Sequence, residues 1–220
     1  MPQIWRGRKS TCASKKPPSF QSISSDKKIA IPCLGWHFCG MNFPVDGKKA
    51  TQAAARLIEK SGGPIDYLRL VKLAYLADRE AIQTRGIPII GGHYFSMRKG
   101  PTISEVMNFV QQRNAPEWKS TISPRHGNEI RLERTPKSDA LSESELKILD
   151  ETVLRHLNRT TDELVEWCHK NCSEYEHTSA YERKPIHVES LLKAAKKSPR
   201  QIQKIVREAA SLERLEELLA

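Results

Sequence analysis

The chain has 220 residues, of which 38% are hydrophobic and 28% are charged. This length is enough for one domain with a sizeable core, or for a domain and a tail. No run approaches the roughly 18 to 20 apolar residues that a membrane-spanning helix requires, so we expect no membrane segment. The formal net charge of +10 leaves nucleic-acid binding open.

The positive charge is concentrated near the N-terminus. Residues 1–40 contribute +6 of the net +10, so the rest of the chain is only mildly basic. This segment mixes Ser, Lys and Pro without helix or strand periodicity, which predicts a disordered basic tail capable of weak nucleic-acid contact. Alternatively, the native protein begins at Met41, where an orderly domain starts.

The cysteines argue against a disulfide framework. There are five of them, and an odd number without a convincing signal peptide indicates reduced thiols in the cytoplasm. The pattern Cys168-His169-x-x-Cys172, with His177 nearby, would permit a zinc site. However, both cysteines share an apolar helix face with Val165, which favours core thiols, so we predict no metal and no cofactor.

Apolar periodicity and capping signals predict a mainly α fold with a small β-hairpin element. We expect a domain at residues 41–186 and a C-terminal helical extension at 187–220. The predicted hairpin is 120–133, and the predicted helices are 49–60, 67–84, 100–113, one opened by the Ser142-x-x-Glu145 capping box, 161–172, 187–197 and 199–220.

The helix at 67–84 is apolar over more than half of its circumference, which predicts a central place in the core. Asp78 falls in the middle of its apolar arc. Because a buried unpaired carboxylate is costly, we expect Asp78 to be held structurally by Arg98, His93 or free backbone N–H groups. A functional carboxylate is the alternative.

The same helix carries a charged stripe that includes Lys72 and Arg79. Leu76 falls within this stripe, which predicts an exposed apolar side chain with a charged rim. Protein interfaces commonly have this arrangement.

Gly100 and Pro101 predict the start of a helix, with Thr102 and Glu105 as a capping box. Free N–H groups there, together with Arg98 and Lys99, would form an anion-binding site, with a plain capped helix start as the alternative. We also expect Asp78 to tie the preceding helix to this turn.

The chain lacks the sequence signatures of common enzymes, including the Walker loop, GxGxxG, GxSxG and HExxH, so we do not expect an enzyme. A catalytic site that uses Asp78 and His93 is the weakest hypothesis. Near the C-terminus, a basic run is interpreted as a solvated face rather than a nucleic-acid groove, because no aromatic residues interleave with it. This run comprises Lys193, Lys196, Lys197, Arg200 and Lys204.

Residues 68–106 resemble the Panacea domain, the SocA-like antitoxin family that also occurs in phage-associated GepA proteins. The similarity lies in LVKLAYLADRE, in the RGIPIIGG connector, and in Tyr94 followed by Arg98-Lys99-Gly100-Pro101 and SEV. It extends loosely over residues 50–177 and includes the Trp118 region. The resemblance implies a compact helical domain that neutralises a toxin by direct protein contact, without chemistry.

We therefore expect an antitoxin-like binding module, with a nucleic-acid-binding regulator as the alternative. The expected partner is a cognate toxin. Asp78, Gly100, Pro101 and Trp118 are predicted to be structural. The predicted partner-binding residues are Lys72, Leu76, Arg79, Tyr94, Arg98 and Lys99.

Overall fold

The computed structural model describes the backbone of residues 43–219, and their side chains except those of 209–210 and 212–219. The predicted N-terminal tail and the alternative start at Met41 lie outside these residues. The helices are α1 (Gly47–Lys60), α2 (Tyr67–Arg85), α3 (Ser104–Gln112), α4 (Pro116–Thr121), α5 (Glu143–His156), α6 (Thr161–Asn171), α7 (Val188–Ala194) and α8 (Pro199–Leu219). The strands are β1 (Ile65–Asp66), β2 (Tyr94–Met97), β3 (Gly100–Ile103), β4 (Glu129–Ile130) and β5 (Lys184–Ile186).

The fold is mainly α, with only short antiparallel strands, which confirms the predicted fold class. Helix α2 is its centre and packs against α1, α3, α5, α6, α7 and β3. It begins where the Asp66 carboxylate accepts a hydrogen bond from the Leu68 N–H at 2.7 Å. It ends at Gly86, whose φ of 86° suits the left-handed helix cap that glycine favours.

Three strands form a sheet in the order β3-β2-β5, and β2 and β3 make a hairpin that pairs Tyr94 with Ile103 and Met97 with Gly100. The predicted helix start at Gly100 is therefore wrong, because Gly100–Ile103 is a strand and α3 begins at Ser104. The predicted capping box is also absent. The Glu105 carboxylate instead accepts a hydrogen bond from the His93 N–H at 2.9 Å.

The predicted hairpin at 120–133 is present as a short bridge between Ile122 and Leu132, closed by reciprocal backbone bonds of His126 and Glu129. Strand β4, within this segment, pairs with β1 rather than extending the hairpin.

Capping boxes open α5 and α6. The first is the predicted Ser142–Glu145 pair. The second is Thr160–Glu163, one residue earlier than the cap expected at Thr161.

The predicted C-terminal extension contributes to the core. Val188, Leu191 and Leu192 of α7 belong to the main hydrophobic cluster, and Val206 of α8 is also buried. In the described part of the chain, no helix has the length and apolarity needed to cross a bilayer.

Candidate functional site

Asp78 is fully buried and holds the connector after α2. Its carboxylate accepts hydrogen bonds from the N–H groups of Ile89, Ile90 and Gly91 and from the Tyr94 hydroxyl, all at 2.8 to 2.9 Å. Burial raises the pKa of Asp78 to about 6, and the four donors oppose this rise. Of the predicted partners, the backbone N–H groups are the ones used, and the prediction that Asp78 ties α2 to the Gly100–Pro101 turn is wrong.

Lys72, and not Asp78, connects α2 to the Gly100–Pro101 turn. Its ammonium group donates hydrogen bonds to the Pro101 carbonyl at 2.6 Å and to the Thr102 hydroxyl at 3.2 Å. The residue is only 1% exposed. The pKa of Lys72 is lowered to about 8, mainly by burial and to a smaller extent by Lys99, while Cys168 and Cys172 oppose the shift. Lys72 therefore joins α2 to β3, and its side chain offers no surface to a partner.

The prediction that Leu76 is exposed is wrong, because its exposed fraction is 6%. Tyr94 is equally buried, so these two side chains also lack the surface that a partner contact requires. The reason is that α2 packs against several elements, and its charged stripe is also covered, since Lys72 bonds to β3 and Arg79 to Glu174 after α6. A helical wheel shows which face of a helix is the most polar, but it does not show whether that face is exposed to solvent.

Arg79 lies mostly inside the protein and is already bonded. Its Nε donates a hydrogen bond to the Glu174 carboxylate at 2.6 Å, and the Tyr75 hydroxyl donates to the same oxygen at 2.6 Å. Only Arg98 and Lys99, of the six predicted partner-binding residues, are exposed.

Arg98 and Lys99 form the turn of the β2–β3 hairpin, which we call the basic tip. Gly100 follows with a φ of 93°, a value that few side chains tolerate. A Cβ on Gly100 would also lie 3.4 Å from the His169 ring. The positive φ therefore favours glycine at this position, and a Cβ there would meet His169 only in ordinary van der Waals contact.

Aromatic rings support this hairpin from α6 and the segment after it. His169 and Tyr175 stack with ring centroids 4.7 Å apart, and His177 contacts both rings. The Tyr175 hydroxyl donates a hydrogen bond to the Met97 carbonyl at 3.2 Å. These contacts hold the basic tip in a fixed position.

A second exposed feature is a groove of about 570 Å³ between the end of α5 and α6, which we call the α5–α6 groove. Leu154 lines it and is 68% exposed, and Leu157 beside it is 46% exposed. Arg159 lies over the Trp167 ring at 5.8 Å. The lining comprises Leu154, Arg155, Asn158, Arg159, Glu163, Glu166, Trp167, Lys170 and Asn171.

Sequence reasoning missed this groove. Apolar periodicity assigns Leu157 to the inward face of its helix, and the charged residues around Trp167 come from both α6 and the end of α5. An available signal was Leu154, which lies on α5 away from the inward-facing Leu149 and Val153.

The remaining candidates do not form a catalytic or metal site in residues 43–219. The Cys168 and Cys172 thiols are buried and free, and no three His, Cys, Asp or Glu side chains are grouped as metal ligands. His93 is paired with Glu105 at 2.6 Å. It is not brought to Asp78, whose two oxygens already accept four hydrogen bonds. Trp118 is buried against Phe109, as a structural residue should be.

The described residues thus form a mainly helical protein in which Lys72, Asp78 and Arg79 of α2 make hydrogen bonds inside the fold. Residues 70–175 match the family model for the antitoxin SocA-like, Panacea domain, so this part of the chain is similar to that family. The matched range begins in α2 and ends just after α6, and it includes both the basic tip and the α5–α6 groove. No curated protein and no solved structure matches the chain.

Proposed function

We propose that the protein is a cytoplasmic antitoxin that neutralises a cognate toxin by binding it directly, without chemistry. The observation that carries this proposal is the Panacea-domain match over residues 70–175. The use of Lys72, Asp78 and Arg79 in internal bonds supports it, because these polar side chains are not free to act on a substrate. In a toxin–antitoxin system, whether bacterial or phage-borne, the toxin would be encoded beside this gene.

The α5–α6 groove is a suitable surface for the toxin. Tryptophan and arginine are the residue types that contribute most often to binding energy at protein interfaces, and Trp167 and Arg159 lie together there. Leu154 and Leu157 add exposed apolar area beside a charged rim, which is the usual arrangement of a binding surface. We assign the apolar part of the toxin contact to this groove.

The test is co-expression with the toxin encoded by the adjacent gene. The wild-type protein should restore growth and bind the purified toxin. The Leu154→Asp variant should bind about tenfold or more weakly, because a carboxylate would replace a buried apolar contact. Leu154 is exposed in the free protein, so this variant should fold normally.

Ile87→Asp is the matched control, since Ile87 is also an exposed large apolar residue, at 44%, but lies outside the groove. It should protect cells as well as the wild type does. A wild-type protein that neither binds nor neutralises the toxin would contradict the proposed function. Equal losses in both variants would contradict only the placement in the groove.

A nucleic-acid-binding regulator is the second candidate, because Lys193, Lys196, Arg200 and Lys204 are exposed around α7 and α8. Binding of this kind should weaken steeply as salt concentration rises. The experiment compares how tightly residues 41–220 and the full chain bind a 30-bp DNA. The difference between them is the contribution of the tail, and binding by residues 41–220 is the contribution of this basic surface. Binding that depends entirely on residues 1–40 would leave this surface without such a role.

A further inference from the structure

The basic tip has no carboxylate partner within the described residues, although carboxylates are present on the neighbouring segments. Three of these carboxylates are bonded to other cations. Glu174 binds Arg79, Glu166 binds Lys170 and Glu176 binds Lys184. The charges of Arg98 and Lys99 are therefore exposed and uncompensated.

The protein beneath the tip adds to the positive potential instead of cancelling it. The Lys72 ammonium group is buried directly behind the strand, bonded to a carbonyl and a hydroxyl rather than to a carboxylate. Lys99 is close enough to lower the pKa of Lys72. Cations backed by a poorly polarisable interior attract an anion more strongly than the same cations surrounded by water.

The tip is also rigidly placed. The turn is closed by pairing between Met97 and Gly100, and the Glu176 N–H donates a hydrogen bond to the Ser96 hydroxyl at 3.0 Å. Strand β5 covers the other edge of β2. Binding an anion would thus require ordering of the two long side chains but not of the backbone, which reduces the entropic cost of association.

We propose that the basic tip binds an acidic segment of the protein partner, in which carboxylates contact Arg98 and Lys99. This inference rests on the proposed antitoxin function, and it adds a charged contact to the apolar contact at the α5–α6 groove. Both features flank α6. His169 contacts the hairpin, whereas Trp167 and Lys170 line the groove.

A nucleic acid fits the tip less well. Proteins that bind the phosphate backbone do so by neutralising several phosphates with Lys and Arg, whereas the tip offers two exposed cations. Exposed Glu163 lies on α6, which packs against β3, and its carboxylate would repel a long polyanion that extended from the tip along this helix. A short acidic protein segment can avoid this repulsion.

The experiment compares toxin binding by the wild-type chain and by the double variant Arg98→Glu/Lys99→Glu, with the toxin encoded beside the gene as the probe. The reversal should weaken binding by about tenfold or more at low salt, because opposite charges at an interface become like charges. The difference from the wild type should shrink as the salt concentration rises, because salt screens both the attraction and the repulsion. Lys119→Glu/Lys137→Glu is the matched control, with the same change in net charge at exposed positions elsewhere. It should stay within about twofold of the wild type.

A second arm identifies the partner's chemistry. Asp and Glu residues of the toxin are changed to Lys one at a time, and at least one such change should restore binding to the Arg98→Glu/Lys99→Glu variant. Equal toxin binding by the wild type and this variant would overturn the inference while leaving the antitoxin function intact. Loss of 30-bp DNA binding without loss of toxin binding would overturn it in favour of nucleic acid. Failure of the wild type to bind the toxin would instead overturn the antitoxin function itself.

Discussion

The Asp78 carboxylate shows how one residue can fix a connector that has no regular secondary structure. Three successive N–H groups, at Ile89, Ile90 and Gly91, all point at it. Without the carboxylate these donors would be buried without acceptors, and each unsatisfied donor costs about 1 to 3 kcal/mol. Asp78 therefore stabilises the fold through the hydrogen bonds that its carboxylate accepts, and the same hydrogen bonds leave its oxygens unavailable for chemistry.

We expect Asp78→Asn to lower the free energy of unfolding by about 3 kcal/mol or more, because the amide nitrogen would face donors that need an acceptor. Urea denaturation at pH 7 measures this change. Tyr94→Phe is the control, since it removes a single donor and should cost about 1 kcal/mol. Similar small losses in both variants would show that the four bonds contribute little.

Lys72 makes the free energy of unfolding rise with pH in the alkaline range. Its pKa is lowered from 10.5 to about 8 in the folded protein. Between these two values the unfolded chain holds more protons than the folded protein, so this residue makes stability rise with pH. Below about pH 8 both states are protonated, and the cost of burying the charge is fully present.

We therefore expect the wild type to gain stability relative to Lys72→Met as pH rises from 8 towards 10, by at most about 1.4 kcal/mol per pH unit. Urea denaturation of both proteins at pH 7, 8, 9 and 10 gives this difference. Because every other titrating group is common to the two proteins, the difference isolates Lys72. A constant difference across the range would mean that its pKa is not lowered.

At the scale of elements, local chemistry made α2 and α5 predictable. Asp66 and Gly86 mark the two ends of α2, and the Ser142–Glu145 capping box opens α5. Each signal involves residues only a few positions apart. The boundaries predicted from them agree with the structure to within about one residue.

The β2–β3 hairpin could not be predicted in the same way. Gly100-Pro101-Thr102 is locally compatible with a helix start, and what makes it a strand are contacts with distant residues. Lys72 bonds Pro101 from 29 positions away, and β5 joins the sheet from about 90 positions along the chain. For the same reason the sequence wrongly predicts that Leu76 is exposed, because the elements that bury it are also distant along the chain.

Gly100 is the most constrained position of this hairpin, and we expect Gly100→Ala to lower the free energy of unfolding by about 2 kcal/mol. The cost comes from the φ of 93°, because the new Cβ would lie 3.4 Å from the His169 ring, which is ordinary van der Waals contact. Gly127→Ala is the control, because the φ of Gly127 is 61°, within the small left-handed region that other residues can adopt, and its Cβ would meet nothing within 4 Å. It should cost about 1 kcal/mol, and thermal melting of both variants measures the difference.

At the scale of the whole molecule, the C-terminal part of the chain is divided between the core and its periphery. Strand β5 pairs with β2, and Leu191 and Leu192 of α7 are completely buried against the rest of the core. Among the described side chains of α8, Ile202 and Ile205 are partly buried against the core and Val206 is buried. The predicted domain boundary after residue 186 would separate α7 from the core to which it contributes.

We expect a chain ending at residue 197 to remain folded and a chain ending at residue 186 to lose cooperative unfolding. Burial of Val188, Leu191 and Leu192 contributes about 1.5 to 3 kcal/mol for each side chain. Their sum is a large share of the 5 to 15 kcal/mol by which most domains are stable. Thermal denaturation followed by circular dichroism compares the two chains. Leu191→Ala in the full chain is the control for packing, and we expect it to lower the free energy of unfolding by about 2 to 5 kcal/mol. A chain ending at residue 186 that still unfolds cooperatively near the wild-type temperature would show instead that α7 is an appendage, as the sequence had predicted.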